Sequence, residues 1–326
     1  MNPEEVMIKH IYSNLFANHA YGKNPKGEAS EVVTMTYQEL IGYYKSYYHP
    51  SNGQAFCFGK QDHINICLNE LNNVLNKYDK DESIRENSNV EWQNMTKFGE
   101  ETKSIHYPDY QEEIDYRSVI AFILNEQPMD LRTQVAWHLI YELLAGSNTA
   151  LIPQVINEMD LGTDIVTHFQ HSLQQWVIGL GVSGIASEED VEKANGKIMR
   201  ELRMLVSDGF DPDAMQAALH KMEFKFRDQS SDDIPLGVKY FGDILTHWNY
   251  DEDVMMMFHA PREFIALKTQ IKDEGQSFLL ELITQQMFDT KHAIVLSLQP
   301  DMNYALQYEK VSWRLSCSFL GETDSV

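Results

Sequence analysis

The order of strand-like and helix-like segments in the middle of the chain most strongly limits its fold. Apolar patterns predict strands at 112–125, 164–171 and 175–183, and polar residues separate the last two. An amphipathic helix is predicted at 130–145, and Gly146 follows it as a C-cap residue. Because the strands and helices do not alternate strictly, we expect an α+β fold rather than a doubly wound α/β fold.

The N-terminal third is predicted to be mainly helical. Apolar spacing predicts helices at 4–17, 36–49 and 62–78, and an aromatic run predicts a short strand at 54–59. Residues 79–104 are polar and charged with few aliphatic side chains, which is typical of a linker.

The C-terminal half carries clear helix-start signals. Ser187 has the position of an N-cap residue before three acidic residues, and the predicted helix runs to Gly209. Pro212 suits the first position of the next helix. Further helices are predicted to about residue 287, followed by an apolar strand at 293–298.

The composition is that of an acidic globular protein. The chain has 26 lysines and arginines against 49 acids, a net charge of −23, with 43% hydrophobic residues. This balance argues against nucleic-acid binding and leaves two alternatives, a solvated acidic surface or attraction of basic peptides. Three irregularly spaced cysteines indicate a reducing compartment, and no apolar stretch is long enough to span a membrane. We therefore expect an intracellular soluble protein.

One glycine motif imitates a dinucleotide-binding fingerprint. Residues 179–184 read G-x-G-x-x-G, but Val177, Ile178 and other apolar residues surround the first two glycines. A fingerprint requires a turn between a strand and a helix and then an acid at a strand end, whereas Glu201 falls within a predicted helix. We therefore predict that these glycines lie in a strand and bind no cofactor.

Histidine pairs offer the only metal-ligand candidates. His220 and Glu223 would share one helix face, while His168 and His171, three apart in a predicted strand, would point to opposite faces. Neither His-x-x-Glu-His nor His-Glu-x-x-His occurs, and no G-x-S-x-G nucleophile motif is present. We predict no catalytic, cofactor-binding or metal-binding residue in this chain, and we interpret His220 and Glu223 as a helix surface pair.

Short motifs nevertheless follow one another in a characteristic order. They include His19-Ala20-Tyr21-Gly22, Tyr47-Tyr48-His49-Pro50, Leu143-Leu144-Ala145-Gly146-Ser147-Asn148, Leu161-Gly162-Thr163-Asp164, Leu219-His220-Lys221-Met222-Glu223 and Trp248-Asn249-Tyr250-Asp251. Together, over residues 5 to about 310, they resemble the presequence protease branch of the pitrilysin/insulinase family of zinc peptidases.

The resemblance implies repeated α+β units, each an antiparallel sheet with helices packed on it. It assigns residues 1–78 to the end of an incomplete first peptidase unit and 105–250 to a second, non-catalytic unit. Residues 251–310 would begin the helical hairpin between halves and include the following strand, and 311–326 would be an atypical tail. The incomplete first unit is expected to expose apolar patches.

The resemblance also implies a function. Family enzymes are zinc metalloendopeptidases that degrade short unstructured peptides such as cleaved presequences, in a mitochondrial or plastid matrix. Their zinc motif and third zinc ligand match no position here, so we expect this chain to be inactive alone and zinc to belong to the full-length enzyme. Expected partners are basic peptides and the remaining domains. The alternative is a non-catalytic, peptide-binding partner subunit of the same family.

Overall fold

The chain forms two compact units in a computed structural model that describes residues 3–25, 27, 32, 34–93, 102–107, 115–227, 234–289, 292–301 and 303–304. Unit 1 contains residues 1–26, 92–228 and 255–326, and unit 2 contains 27–91 and 229–254. No helix within the described residues is long and apolar enough to cross a membrane.

The described residues contain eleven α-helices. In chain order they are α1 Pro3–Leu15, α2 Tyr37–Tyr47, α3 Gln61–Leu75, α4 Glu82–Asn87, α5 Leu131–Ala145, α6 Leu151–Met159, α7 Glu188–Asp208, α8 Pro212–Arg227, α9 Leu236–Trp248, α10 Ala260–Glu274 and α11 Ser277–Ile283. A π-helical turn, Thr284–Asp289, continues α11. As predicted, Ser187 caps α7, because its side chain accepts a hydrogen bond from the Asp190 N–H at 3.2 Å.

Unit 1 is built on one five-stranded sheet. Its strands are β1 Thr102–Tyr107, β2 Tyr116–Ile123, β3 Asp164–Gln170, β4 Val177–Ile185 and β5 Ala293–Pro300, in the order β1-β5-β2-β4-β3. All neighbouring pairs are antiparallel except β1 with β5, which is parallel. The expected α+β class is confirmed, and the expected wholly antiparallel sheet is corrected at this one pair.

Helices cover both faces of this sheet. One face packs under α5, α6, α7, α8, α10 and α11 in the larger core, where Trp137, Leu139 and Ile140 are fully buried. The other face packs against α1, whose Ile11 and Leu15 are fully buried beside Val119, Leu296 and other strand residues. Alternate residues of one strand therefore enter different cores, which is the period-2 pattern that fixes strand register.

Unit 2 has almost no interior. It contains α2, α3, α4 and α9, and its only buried described residues are Ile244 and His247 of α9. His247 Nδ1 lies 2.8 Å from Glu252 Oε2, and Arg85 on α4 forms a salt bridge with Asp251 at 2.8 Å. The exposed apolar patches expected of residues 1–78 are found from residue 32 onward, whereas α1 is buried in unit 1.

Two segment predictions need correction. The predicted strand 54–59 has no partner strand within the described residues, and a strand requires one. The predicted linker 79–104 contains α4, capped by Asp81, and the start of β1. The strand predicted near the end of 251–310 is present as β5, which lies in the sheet between β1 and β2. The tail 311–326 lies outside the described residues, and the matching of segments to family units stays a prediction.

Candidate functional site

The described residues contain no group of three or more His, Cys, Asp or Glu side chains that could hold a metal ion. His220 and Glu223 both lie on α8, where His220 is exposed. Glu223 instead forms salt bridges with Lys268, at 2.7 Å, and Arg227, at 2.5 Å. The hydrogen bond from Lys268, together with the charge of Arg227, lowers the pKa of the Glu223 carboxyl. This carboxylate serves as an ion-pair partner at the helix surface.

His168 and His171 diverge, as the strand pattern predicted. His168 Nε2 lies 2.8 Å from the Tyr12 hydroxyl of α1, on one face of the sheet. The His171 ring lies 4.7 Å, between centroids, from that of His138 on α5, which covers the other face. Burial lowers the pKa of His168 and raises that of Tyr12. The two histidines therefore cannot share one metal ion in this arrangement.

The glycine motif lies inside β4, as predicted. A Cβ atom at Gly181 would lie 1.9 Å from the Ser118 carbonyl oxygen on the neighbouring strand β2, so the glycine permits close strand packing. Glu201 lies in α7, where its carboxylate accepts a hydrogen bond from Lys197 at 2.6 Å. Neither feature forms the strand–turn–helix geometry that a dinucleotide requires.

The first candidate surface is the edge formed by β3. This strand is the end of the sheet and pairs only with β4 among the described strands. An edge strand presents backbone N–H and C=O groups that can pair with an extended peptide. Asp164, the first residue of β3, is exposed, as are Glu158 and Asp160 at the end of the preceding helix α6. The geometry and charge of this edge therefore suit an extended peptide that carries basic residues.

Aromatic rings gather at the other end of the same strand. Phe169 stacks on Tyr141 with ring centroids 4.6 Å apart, and it contacts His138, His171 and Trp176 at 5.5–5.8 Å. We call these five residues the ring cluster. Burial, aided by the nearby His171 and Lys225, lowers the pKa of His138 to about 3. His138 is therefore uncharged at neutral pH and contributes an apolar ring to the cluster.

The second candidate surface is the apolar surface of unit 2. Of the 23 large hydrophobic side chains that are exposed in the described residues, 17 belong to this unit, although it holds less than a third of the chain. We call the exposed apolar side chains of residues 34–78 the open face; they are Met35, Tyr37, Leu40, Tyr43, Tyr44, Tyr47, Tyr48, Phe58, Ile66, Leu68, Val74, Leu75 and Tyr78. A concentration of exposed apolar side chains like this one makes the segment a candidate interaction surface.

Comparison with known proteins identifies the family. The sequence profile of the Peptidase M16 inactive domain matches residues 34–222, more than half of the chain. The chain belongs to the M16 peptidase family. This confirms the presequence protease-like resemblance, and the matched residues include β2, β3 and β4 as well as the open face.

Two curated relatives show how much of a whole protein the chain represents. It is 27% identical over 313 residues to presequence protease 1, chloroplastic/mitochondrial, of Arabidopsis thaliana, covering 94% of this chain and 28% of the relative. It is 22% identical to protein HypA of Clostridium perfringens, covering 92% of this chain and 30% of that protein. The chain therefore spans less than a third of the length of these relatives.

A solved structure shows the same fold. A protease from Helicobacter pylori aligns with a TM-score of 0.69 at 14% identity, over 92% of this chain and 67% of that one. At 14% identity, the match is evidence for a shared fold alone.

Sequence reasoning missed both the ring cluster and the buried Glu142. Glu142 of α5 forms salt bridges with Lys221 and Lys225 of α8, one turn apart on that helix. The i, i+4 spacing of the two lysines was visible in the sequence, but their partner is about 80 residues away. Phe169 and Trp176 flank the turn between two predicted strands, which was the available signal for the ring cluster.

Proposed function

We propose that the chain is the non-catalytic portion of a zinc metalloendopeptidase that degrades short unstructured peptides such as cleaved presequences. The match of residues 34–222 to the M16 inactive domain carries this proposal. The names of the relatives support presequence-type substrates and a mitochondrial or plastid compartment. The alternative is a partner subunit that holds peptides for a separate catalytic chain. Sequencing the 5′ end of the full transcript separates the two, because only the first requires one reading frame that also encodes His-x-x-Glu-His.

Zinc does not fit the described residues of this chain. They contain no group of three potential ligands, and of the His220 and Glu223 side chains on α8, the first is exposed and the second is held in a salt bridge. In the proposed enzyme, the zinc and the groups that activate water come from another part of the protein. The role of this chain is to hold the peptide and to shape the chamber around it.

The β3 edge is the feature best suited to holding a peptide. Pairing to an edge strand uses only backbone groups, so it accepts many sequences, as a degradative enzyme requires. The acids at and before the start of β3 add attraction for basic residues, and the net charge of −23 acts over a longer range. Such attraction falls as the Debye length shrinks from about 10 Å at 0.1 M salt to about 3 Å at 1 M.

Two measurements on the purified chain test the proposal. A quenched basic peptide should remain uncleaved with or without zinc or a chelator; chelator-sensitive cleavage would contradict the assignment as non-catalytic. Labelled peptides of equal length, one rich in arginine and one with glutamate in its place, should then be titrated at low and high salt. We expect the basic peptide to bind more tightly, with the difference lost at 1 M salt.

A charge-matched pair of variants locates the binding. Glu158→Gln with Asp164→Asn removes two exposed charges, one near the end of α6 and one at the start of β3, whereas Asp273→Asn with Glu274→Gln removes two exposed charges on α10. The first pair should weaken binding of the basic peptide and the second should not. If the two pairs of substitutions have equal effects, or if neither peptide binds, the acidic residues only form a solvated surface and do not bind peptides.

A further inference from the structure

We propose that the exposed side of α7 is a self-complementary docking surface for a second copy of this chain. The two α7 helices would lie antiparallel and cross at Gly196, which is near the middle of the helix. The contact involves neither the β3 edge nor unit 2.

The exposed side of α7 carries one continuous row of residues. The opposite side of the helix is apolar and packs in the larger core, where Ile198 and Leu202 are fully buried. Residues three or four positions apart share a helix face, and six exposed residues follow one another at this spacing. They are Glu189, Glu192, Gly196, Arg200, Arg203 and Ser207, which we call the α7 stripe. Its acids lie in the N-terminal half and its arginines in the C-terminal half.

Most charges of the α7 stripe have no partner within the chain. Glu192, Arg200 and Arg203 make no hydrogen bond or salt bridge to any described residue. By contrast, Lys197 of the same helix bridges Glu201 at 2.6 Å. The chain has 49 acids against 26 lysines and arginines, yet these two arginines are left without an acid. They are therefore available to a carboxylate on another molecule.

Gly196 opens a groove at the centre of the stripe. Apart from its own helix backbone and its sequence neighbours, no atom lies within 4 Å of the place where its Cβ would be. A glycine destabilises a helix interior relative to alanine, and nothing inside this chain requires one here. The groove has a volume of about 450 Å³ and is lined by Gly196, Met199, Arg200, Arg203, Met204 and Ser207. Methionine side chains adapt to a partner surface, and the missing side chain lets a second helix approach closely.

The order of the charges makes the stripe self-complementary. In an antiparallel pair centred on Gly196, each residue faces the one equally far from the glycine on its other side in the second copy. Arg200 and Glu192 each lie four positions away, about 6 Å along the helix, and Arg203 and Glu189 each lie seven positions away, about 10 Å. Each arginine of one copy therefore faces a glutamate of the other, and the twofold axis repeats both pairs.

A second copy fits the stripe better than a partner of one charge. An acidic partner would meet Glu189 and Glu192 beside the arginines, and a basic partner would meet Arg200 and Arg203 beside the acids. The net charge of −23 opposes self-association, but acids far from the contact are screened at physiological salt, where the Debye length is about 8 Å. One pair of helices buries less surface than a stable dimer needs, so the complex should be weak and reversible.

Charge reversal at the inner pair tests the contact. Sedimentation velocity of the full chain at physiological salt, over a range of protein concentrations, measures the association. Arg200→Glu and Glu192→Arg each make both inner contacts repulsive, so each should weaken association by about tenfold or more. An equimolar mixture of the two variants again places opposite charges at both inner contacts. The mixture, and the double variant in one chain, should associate within about twofold of the wild type.

Two further variants serve as control and as steric test. Arg262→Glu on α10 is the matched control, because Arg262 is exposed and makes no hydrogen bond or salt bridge to a described residue. It should leave association unchanged. Gly196→Gln places a side chain at the crossing point and should weaken association by about tenfold. Its melting temperature should not fall, since the site is open and glutamine favours the helix.

Three results would overturn the proposal. The first is a wild-type chain that shows no concentration-dependent association. The second is association that Arg200→Glu and Glu192→Arg leave unchanged, which would place the contact on another surface such as the open face. The third is a mixture of these variants that associates no better than either alone. Peptide binding at β3 does not require this contact, so each can fail without the other.

Discussion

Unit 1 and unit 2 both contain regular secondary structure, but they differ in how much of their apolar surface is buried. Unit 1 buries apolar side chains on both faces of its sheet, with Trp137, Ile11 and Leu296 fully enclosed. Unit 2 has regular helices, of which α2 has the Thr36–Glu39 capping box and α4 is capped by Asp81, yet no residue of α2 or α3 is buried. Local signals are enough to specify helices, whereas burial depends on which surfaces are present to cover them.

The largest expected contrast concerns core truncation. Trp137→Ala in unit 1 removes a fully buried indole and its 2.5 Å hydrogen bond to Gln286 Oε1. It should lower the free energy of unfolding by about 3–5 kcal/mol. Tyr44→Ala on the open face, 54% exposed, should cost less than about 1 kcal/mol. Urea denaturation followed by circular dichroism measures both; equal losses would remove the distinction between the units.

The loss of folding stability at low pH should also arise in unit 1. The pKa of His138 is lowered to about 3 in the folded chain. Between about pH 6.5 and pH 3, His138 is therefore protonated in the unfolded chain but neutral in the folded one. The free energy of unfolding should therefore decrease between pH 6.5 and pH 3, by about 1 kcal/mol per pH unit from this residue. His138→Phe should flatten that part of the profile relative to the wild type. Parallel profiles for the two proteins would contradict the assignment.

A smaller effect tests how α1 is held on the sheet. Tyr12→Phe removes the hydroxyl that lies 2.8 Å from His168 Nε2 in a largely buried setting. The expected loss is about 1 kcal/mol, because the imidazole nitrogen is left without this partner. Tyr37→Phe, at a 75% exposed position of unit 2, is the matched control and should be neutral. The midpoint of urea denaturation reports both.

The smallest expected effect lies in unit 2 itself. Thr36→Ala removes the capping box of α2, in which Thr36 Oγ1 accepts from the Glu39 N–H at 3.3 Å and Glu39 accepts from the Thr36 N–H at 2.7 Å. The Glu39 carboxylate accepts hydrogen bonds from the Thr36 N–H and, at 2.8 Å, from the Thr36 hydroxyl, and both lower the pKa of the Glu39 carboxyl. The variant should lose helical signal equivalent to about 0.5–1 kcal/mol of local stability, with no change in unit 1 unfolding. A shift of the unit 1 transition would show that the two units unfold together.

Local patterns predicted most elements but not their partners. The α7 cap, α5 and the glycines in β4 follow from residues close together in sequence. The place of β5 between β1 and β2 could not be read in this way, because pairing across more than 170 residues leaves no local signal. The same limit explains residues 54–58, where the strand pattern is present and a partner strand is not. The resemblance to the family could be predicted from the order of short motifs, whereas no single chemical site indicated it.

Hydrogen exchange of the native chain, followed by mass spectrometry, tests the contrast between the units most directly. We expect slow exchange in β2, β4 and α5, which lie in the closed core. We expect exchange near the unprotected rate in residues 54–58 and weak protection in α2 and α3. Comparable protection of α3 and α5, or strong protection of residues 54–58 in the chain alone, would contradict the claim that unit 1 has a closed core and unit 2 does not.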